Sequence, residues 1–133
     1  MTKFPPGFCS VVLLALVLGL LACGNNPPRH LLSATVMPAT ATASSFPNGV
    51  VQFTATGTFD HSPSRAVLNP AVWELALSTS YPPDAVSFTT GGAAQCKAGF
   101  VGTVSVQGGA FVCPGPDAVA CHLVFGTAQL TCP

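Results

Sequence analysis

Proline and glycine are spread so densely through this sequence that long helices are excluded beyond its N-terminal region. The 133 residues include 13 Gly and 13 Pro, and one or the other interrupts nearly every window of ten after residue 30. Proline removes a backbone donor, and glycine loses more conformational entropy in a helix than any other residue. No stretch of this region keeps apolar residues at helical spacing over three turns. The pattern favours short strands joined by turns.

The clearest strand signal is the segment 51–59, in which odd positions are apolar or Gly and even positions are Gln or Thr. Such alternation places one face of a strand in a core and the other in water. Other extended segments lie before and after it, at spacings typical of a sandwich. We assign further strands to 33–36, 72–77, 85–88, 102–107, a piece from Phe111 after a break at Gly108-Gly109, and 121–132. The sequence therefore predicts an all-β fold, a single β-sandwich of about seven strands.

Four inward positions of these strands carry the predicted core, which consists of Phe53, Trp73, Val104 and Leu130. We expect Leu75 and Leu77 to share a face with the tryptophan, because the three positions alternate along one strand. Ala128 and Cys132 should likewise lie on the same side as Leu130.

The N-terminal region has the organisation of an export signal. Lys3 is the one charged residue among residues 1–10, and residues 11–22 form an uncharged apolar run. These 12 residues are too few for a bilayer-spanning helix, which needs about 20, but they match the apolar region of a secretory signal. A buried core helix is disfavoured because the run has no polar face.

The run ends in Leu20-Leu21-Ala22-Cys23, which resembles the lipobox of bacterial lipoproteins. In that family a diacylglyceryl group is attached to the cysteine thiol, and a dedicated peptidase cuts in front of the cysteine. The resemblance implies a signal peptide over residues 1–22, a lipid such as palmitate on Cys23, and a lipidated tether over residues 23–30. An ordinary signal peptide is the alternative. Gly24 replaces the Asp that retains such proteins on the inner membrane, and it favours the outer membrane of a Gram-negative envelope.

The region 31–132 resembles bacterial immunoglobulin-like domains of the BIG type. Individually weak motifs occur in the expected order: an alternating strand that reaches Pro38, the segment 49–59, Trp73 in the third strand, the segment 102–106, and a closing segment 126–132. The resemblance implies one Ig-like domain over residues 31–133, with a structural or adhesive role and no catalytic residues. Four cysteines in the domain and Glu74 after the tryptophan depart from the family pattern.

Four cysteines follow the signal, namely Cys96, Cys113, Cys121 and Cys132. An even number in an exported chain predicts disulfide bonds. Their spacing leaves three connectivities open. If the last two strands form a hairpin, Cys113 and Cys121 lie across its mouth, and Cys96 is left to pair with Cys132. A zinc site is disfavoured because the chain has neither Cys-x-x-Cys nor a His at ligand spacing.

The titratable residues form no recognisable catalytic or metal-binding motif. The histidines His30, His61 and His122 and the acids Asp60, Glu74, Asp84 and Asp117 are scattered along the chain. Neighbours such as Asp60 and His61 are poorly placed to orient one another in a triad, and a Gly-x-Ser-x-Gly elbow is lacking. We therefore predict a protein that is not an enzyme and that has no cofactor and no metal.

The balance of positive and negative charges limits which classes of partner we expect. Four basic and four acidic residues give a net charge of zero, which argues against nucleic acid as a partner. We expect an exported protein, held to the envelope membrane through Cys23, that displays a non-catalytic Ig-like domain for structural or interaction roles. The alternative is a specific carbohydrate- or protein-binding module that uses loops at one end of the sandwich, such as Tyr81-Pro82-Pro83. An enzyme ranks third.

Overall fold

The computed structural model describes residues 28–113 and 120–133, so the predicted signal peptide, Cys23 and Asp117 lie outside the described residues. The described part is built from strands, as the alternation predicts, and two single-turn 3-10 helices, Ala43–Ser45 and Pro47–Gly49. The strands are β1 Leu31–Met37, β2 Thr40–Thr42, β3 Val50–Gln52, β4 Thr54–Phe59, β5 Arg65–Val67, β6 Val72–Leu75, β7 Val86–Phe88, β8 Ala93–Cys96, β9 Gly102–Val112 and β10 His122–Cys132.

The strands form two layers. One layer contains a four-stranded sheet in the order β2-β10-β9-β6. The other contains two three-stranded sheets, β1-β4-β5 and β3-β8-β7. These two sheets are continuous through Phe53, which separates β3 from β4 and donates its N–H to the Gly92 carbonyl at 2.9 Å. All pairs are antiparallel except β2 with β10.

The all-β prediction is confirmed, but ten strands are present rather than about seven. The first predicted strand continues into a second piece: β1 pairs with β4, and after Pro38 the chain crosses to the other layer as β2, beside β10. The strand predicted over 51–59 is divided at Phe53. Two small strands were not predicted, β5, which pairs with β4, and β8, which pairs with β3 and β7. Joining the divided strands leaves two layers paired in the order of an immunoglobulin-like sandwich.

The core lies between the layers. Its largest fully buried side chains are Phe53, Leu130, Val36, Val51, Val104, Val106 and Cys132. Predicted positions Phe53, Val104 and Leu130 are confirmed, and Ala128 and Cys132 lie on the same buried face as Leu130. Trp73 differs from the prediction because it is half-buried. It belongs to β6, an edge strand, and its ring packs against the side of the core rather than at its centre.

Two details of the predicted strands are wrong. The strand β9 continues through Gly108 and Gly109, because both glycines pair with β6 on one side and with β10 on the other. The third strand ends at Leu75, so Leu77 is fully exposed instead of facing the core. The last ladder contact there is the Ala76 N–H, which donates to the Ser105 carbonyl at 2.9 Å.

Both disulfide bonds form with the pairing that the hairpin argument gave. Cys113 and Cys121 join the ends of the β9–β10 hairpin. Cys96 and Cys132 join β8 to β10 and therefore link the two layers. The two bonds lie at opposite ends of the β9–β10 ladder, which runs from Gly102 paired with Cys132 to Val112 paired with His122. We call the end with Cys113–Cys121 the base and the other end the apex.

Candidate functional site

The main candidate site is a cleft of about 370 Å³ between β6 and β7, which are edge strands of different layers. Its walls are mainly apolar. We call it the aromatic cleft, and its principal lining residues are Trp73, Leu75, Leu77, Tyr81, Pro83 and Phe88. The loop residues Tyr81 and Pro83, predicted as a binding loop, are here brought together with Trp73.

Trp73 divides this cleft from a smaller depression of about 170 Å³ on its other side. Its ring lies 6.4 Å from the ring of Phe53, at an interplanar angle of 37°. The backbone of Gly108 passes beneath the indole so closely that a Cβ at that position would overlap the ring. The indole Nε1 is buried and has no hydrogen-bond partner in the described part of the chain.

Tyr81 is held in the cleft wall by two hydrogen bonds through its hydroxyl. The hydroxyl donates to the Ala76 carbonyl at 2.8 Å and accepts from the Ser105 N–H at 3.3 Å. These contacts tie the loop between β6 and β7 to strand β9. Because the side chain is fixed from both directions, the loop presents its ring in a defined orientation.

Charged groups stand at the edges of the cleft region. Glu74, next to Trp73 on β6, is exposed on the rim. Asp84, beyond Pro83, forms an ion pair with Lys97. The hydrogen bond and charge of Lys97 hold the pKa of the Asp84 carboxyl below its ordinary value of 3.8. An apolar, aromatic floor with a few polar groups at its margin suits stacking against a flat apolar surface of a ligand.

A second group of titratable side chains meets at the base, in the loop after β4. The carboxylate of Asp60 accepts a hydrogen bond from the His30 N–H at 2.8 Å and lies 2.9 Å from Nδ1 of His61. The side chains of the two neighbours therefore contact one another. The His30 backbone hydrogen bond is the largest cause that lowers the pKa of Asp60. The arrangement fastens the start of the domain to the β4–β5 loop.

The remaining predicted positions can now be placed. His122 is exposed at the base, next to the Cys113–Cys121 bond. Within residues 28–113 and 120–133, no three His, Cys, Asp or Glu side chains come together in a way that could hold a metal ion. Phe88 was not singled out from the sequence, because a lone aromatic in a three-residue strand carries no periodic signal.

We compared the chain with known protein families, sequences and structures. Family models, curated protein sequences and solved structures give no match to this chain. Among the described residues, no helix is long and apolar enough to cross a membrane. The strand pairing defines the class, an all-β sandwich with one disulfide bond between its layers and one closing its last hairpin.

Proposed function

We propose that this protein is a lipid-anchored bacterial envelope protein that displays a non-catalytic immunoglobulin-like domain for structural or interaction roles. The observation that carries the proposal is the apolar run 11–22, which ends directly at Cys23 and precedes a domain with two disulfide bonds. Disulfide bonds form and persist in the oxidising compartments that exported proteins reach. The resemblance of region 31–132 to BIG-type domains supports the same role.

Labelling with radioactive palmitate tests the anchor. Cells that express the full chain should incorporate label, and Cys23→Ser should abolish it and block removal of the signal peptide. Cys9→Ser is the matched control, because Cys9 lies inside the segment that cleavage removes. It should leave labelling unchanged. Equal label in the wild-type chain and in Cys23→Ser would contradict the proposal.

A second candidate function, specific binding of a neutral carbohydrate or of a protein, is favoured by the aromatic cleft. The rings of Trp73, Tyr81 and Phe88 line an apolar groove. Aromatic faces of this kind stack on the apolar faces of sugar rings, and they also anchor protein partners. Only 6% of the residues are charged, which suits a neutral ligand.

Trp73 supplies the signal for a binding test, since it is the one tryptophan of the chain. A panel of neutral oligosaccharides is titrated against the full chain, and the tryptophan emission is followed. A ligand of the cleft should shift the emission saturably. Leu77→Asp at the rim should weaken that shift, whereas Val101→Asp, at an exposed position that does not line the cleft, should leave it unchanged. Equal effects of the two substitutions would contradict a site in the cleft.

A further inference from the structure

The outer face of the β9–β10 hairpin is apolar at the base. Phe111 pairs with Leu123, and Phe125 lies two residues further along β10 on the same face. This face points away from the core, because Val104 and Leu130, at the alternate positions, are fully buried. Phe111 is 62% exposed and Phe125 is 44% exposed. Exposed aromatic side chains grouped at one end of a domain indicate a contact surface rather than scattered apolar residues.

Strand β1 adds a third exposed side chain at the same end. The Thr35 Cα lies 2.8 Å from the position that a Cβ on Gly126 would occupy. Gly126 has the parity of the buried Ala128 and Leu130, so β1 crosses the core-facing side of β10. Its continuation β2 runs parallel to β10, which places Leu32 level with the start of β10. Leu32 is 62% exposed. We call Phe111, Leu123 and Phe125 the basal patch, and Leu32, on a strand of the other layer, is a further exposed apolar side chain at the base.

The chain enters the domain beside this patch. Pro28 and Arg29 line a cleft of about 540 Å³ together with Phe111 and Cys113. The guanidinium of Arg29 lies 4.6 Å above the ring of Phe59 and donates to the Pro63 carbonyl at 2.9 Å, which fixes this entry point. Cys23 precedes Pro28 by five residues, a contour of at most about 17 Å. A lipid on Cys23 would therefore hold the base close to the membrane surface.

The charged groups of the base suit lipid phosphates. Arg29 is exposed there, and Arg65, also exposed, pairs with Thr58 near the end of β4. The acid at this end in the described residues, Asp60, is already in contact with His61 and the His30 backbone. The third described basic side chain, Lys97, follows β8 at the apex and forms an ion pair with Asp84. Cationic side chains beside apolar ones are typical of surfaces that bind anionic lipid interfaces.

We propose that the basal patch docks on the anionic lipid surface of the membrane that holds the anchor. The proposal rests on the proposed lipidation of Cys23. Phe111 and Phe125 enter the headgroup region, while Arg29 and Arg65 meet the phosphates. A domain held in this way stands with its apex away from the bilayer, so the aromatic cleft, whose rim residue Leu77 follows the apical end of β6, stays accessible.

Quenching by brominated lipids tests the docking. The lipidated full chain is reconstituted in vesicles of phosphatidylethanolamine and brominated phosphatidylglycerol, as the wild type, as Phe111→Trp and as the matched control Leu77→Trp. The wild type measures the background from Trp73. The new tryptophan at position 111 should be quenched above this background, and the one at position 77 should not. Adding Phe125→Gln to Phe111→Trp should reduce the quenching.

The outcomes separate the docking from the anchor. Mass spectrometry of each preparation first establishes whether Cys23 carries a lipid. If the chain is lipidated but the tryptophan at position 111 is quenched no more than the one at position 77, the docking proposal is wrong and the lipid anchor is retained. If that chain also sediments as a dimer through a Phe111-dependent contact, the patch binds a second copy instead. A chain without lipid on Cys23 overturns both proposals.

Discussion

The indole of Trp73 lies flat against the backbone of Gly108, and this contact shows what a single small residue does for the site. Without a side chain at position 108, the ring can approach strand β9 and form both the edge of the core and the wall of the aromatic cleft. The sequence suggested that Gly108 and Gly109 interrupt the strand. The two glycines instead allow neighbouring groups to approach closely. Alternation in the sequence cannot show this, because the approach depends on which strand lies alongside.

Gly108→Ala should displace the indole. The added methyl overlaps the ring, and overpacking of this kind typically costs about 1–3 kcal/mol. Gly91→Ala is the matched control, since a Cβ there would have Thr89 Oγ1, at 4.0 Å, as its nearest neighbour beyond the adjacent residues. That substitution should change stability by no more than about 0.5 kcal/mol. Urea unfolding and the tryptophan emission maximum measure both effects. Wild-type stability and emission in Gly108→Ala would show that the ring does not rest on this glycine.

The Asp84–Lys97 ion pair predicts a specific response to pH. Lys97 lowers the pKa of Asp84 in the folded protein below the ordinary 3.8. The stabilisation is therefore present above pH 3.8 and is lost as the pH falls through the lowered folded pKa. Both side chains are exposed, so the effect on stability is small and weakens with salt. NMR titration of the Asp84 carboxyl should give a midpoint that rises toward 3.8 in Lys97→Met. Identical midpoints would contradict the pairing.

The β9–β10 hairpin is the element that the sequence predicted best, and its outer face is what the prediction missed. Alternation identified Val104 and Leu130 as inward positions, because a strand with one buried face shows a period of two in its sequence. The sequence shows no such period where the chain crosses between layers from β1 to β2, or at the small strand β5. Both features depend on which strand lies alongside. Phe111 and Phe125 do lie at outward parity in the sequence, and this parity was the available signal for the basal patch.

The two disulfide bonds should stabilise their elements unequally. They close loops with sequence separations of 36 and 8 residues. In the chain-entropy account, these separations correspond to about 3.8 and about 2.5 kcal/mol. The double variant Cys96→Ala/Cys132→Ala should therefore lose more stability than Cys113→Ala/Cys121→Ala. Urea unfolding of both variants measures the difference. A larger loss from the hairpin pair would mean that loop entropy is not the dominant contribution.

At the level of the whole molecule, the two ends of the sandwich differ in chemistry. The base carries the point of chain entry, the exposed phenylalanines Phe111 and Phe125 and two arginines, and Leu77 on the rim of the aromatic cleft follows the apical end of β6. The inter-layer bond Cys96–Cys132 fixes the apex, and Cys113–Cys121 fixes the base. These two ends are consistent with the proposed docking of the base on a membrane, which would leave the aromatic cleft accessible.

The intact mass of the protein extracted from membranes tests the central claim most directly. The account predicts a chain that begins at Cys23, carries a diacylglyceryl group on that residue, and retains both disulfide bonds of the domain. Fragmentation locates the added mass on the first residue. A mature chain that begins elsewhere, or one that begins at Cys23 without an acyl group, would contradict the account of a lipid-anchored display domain.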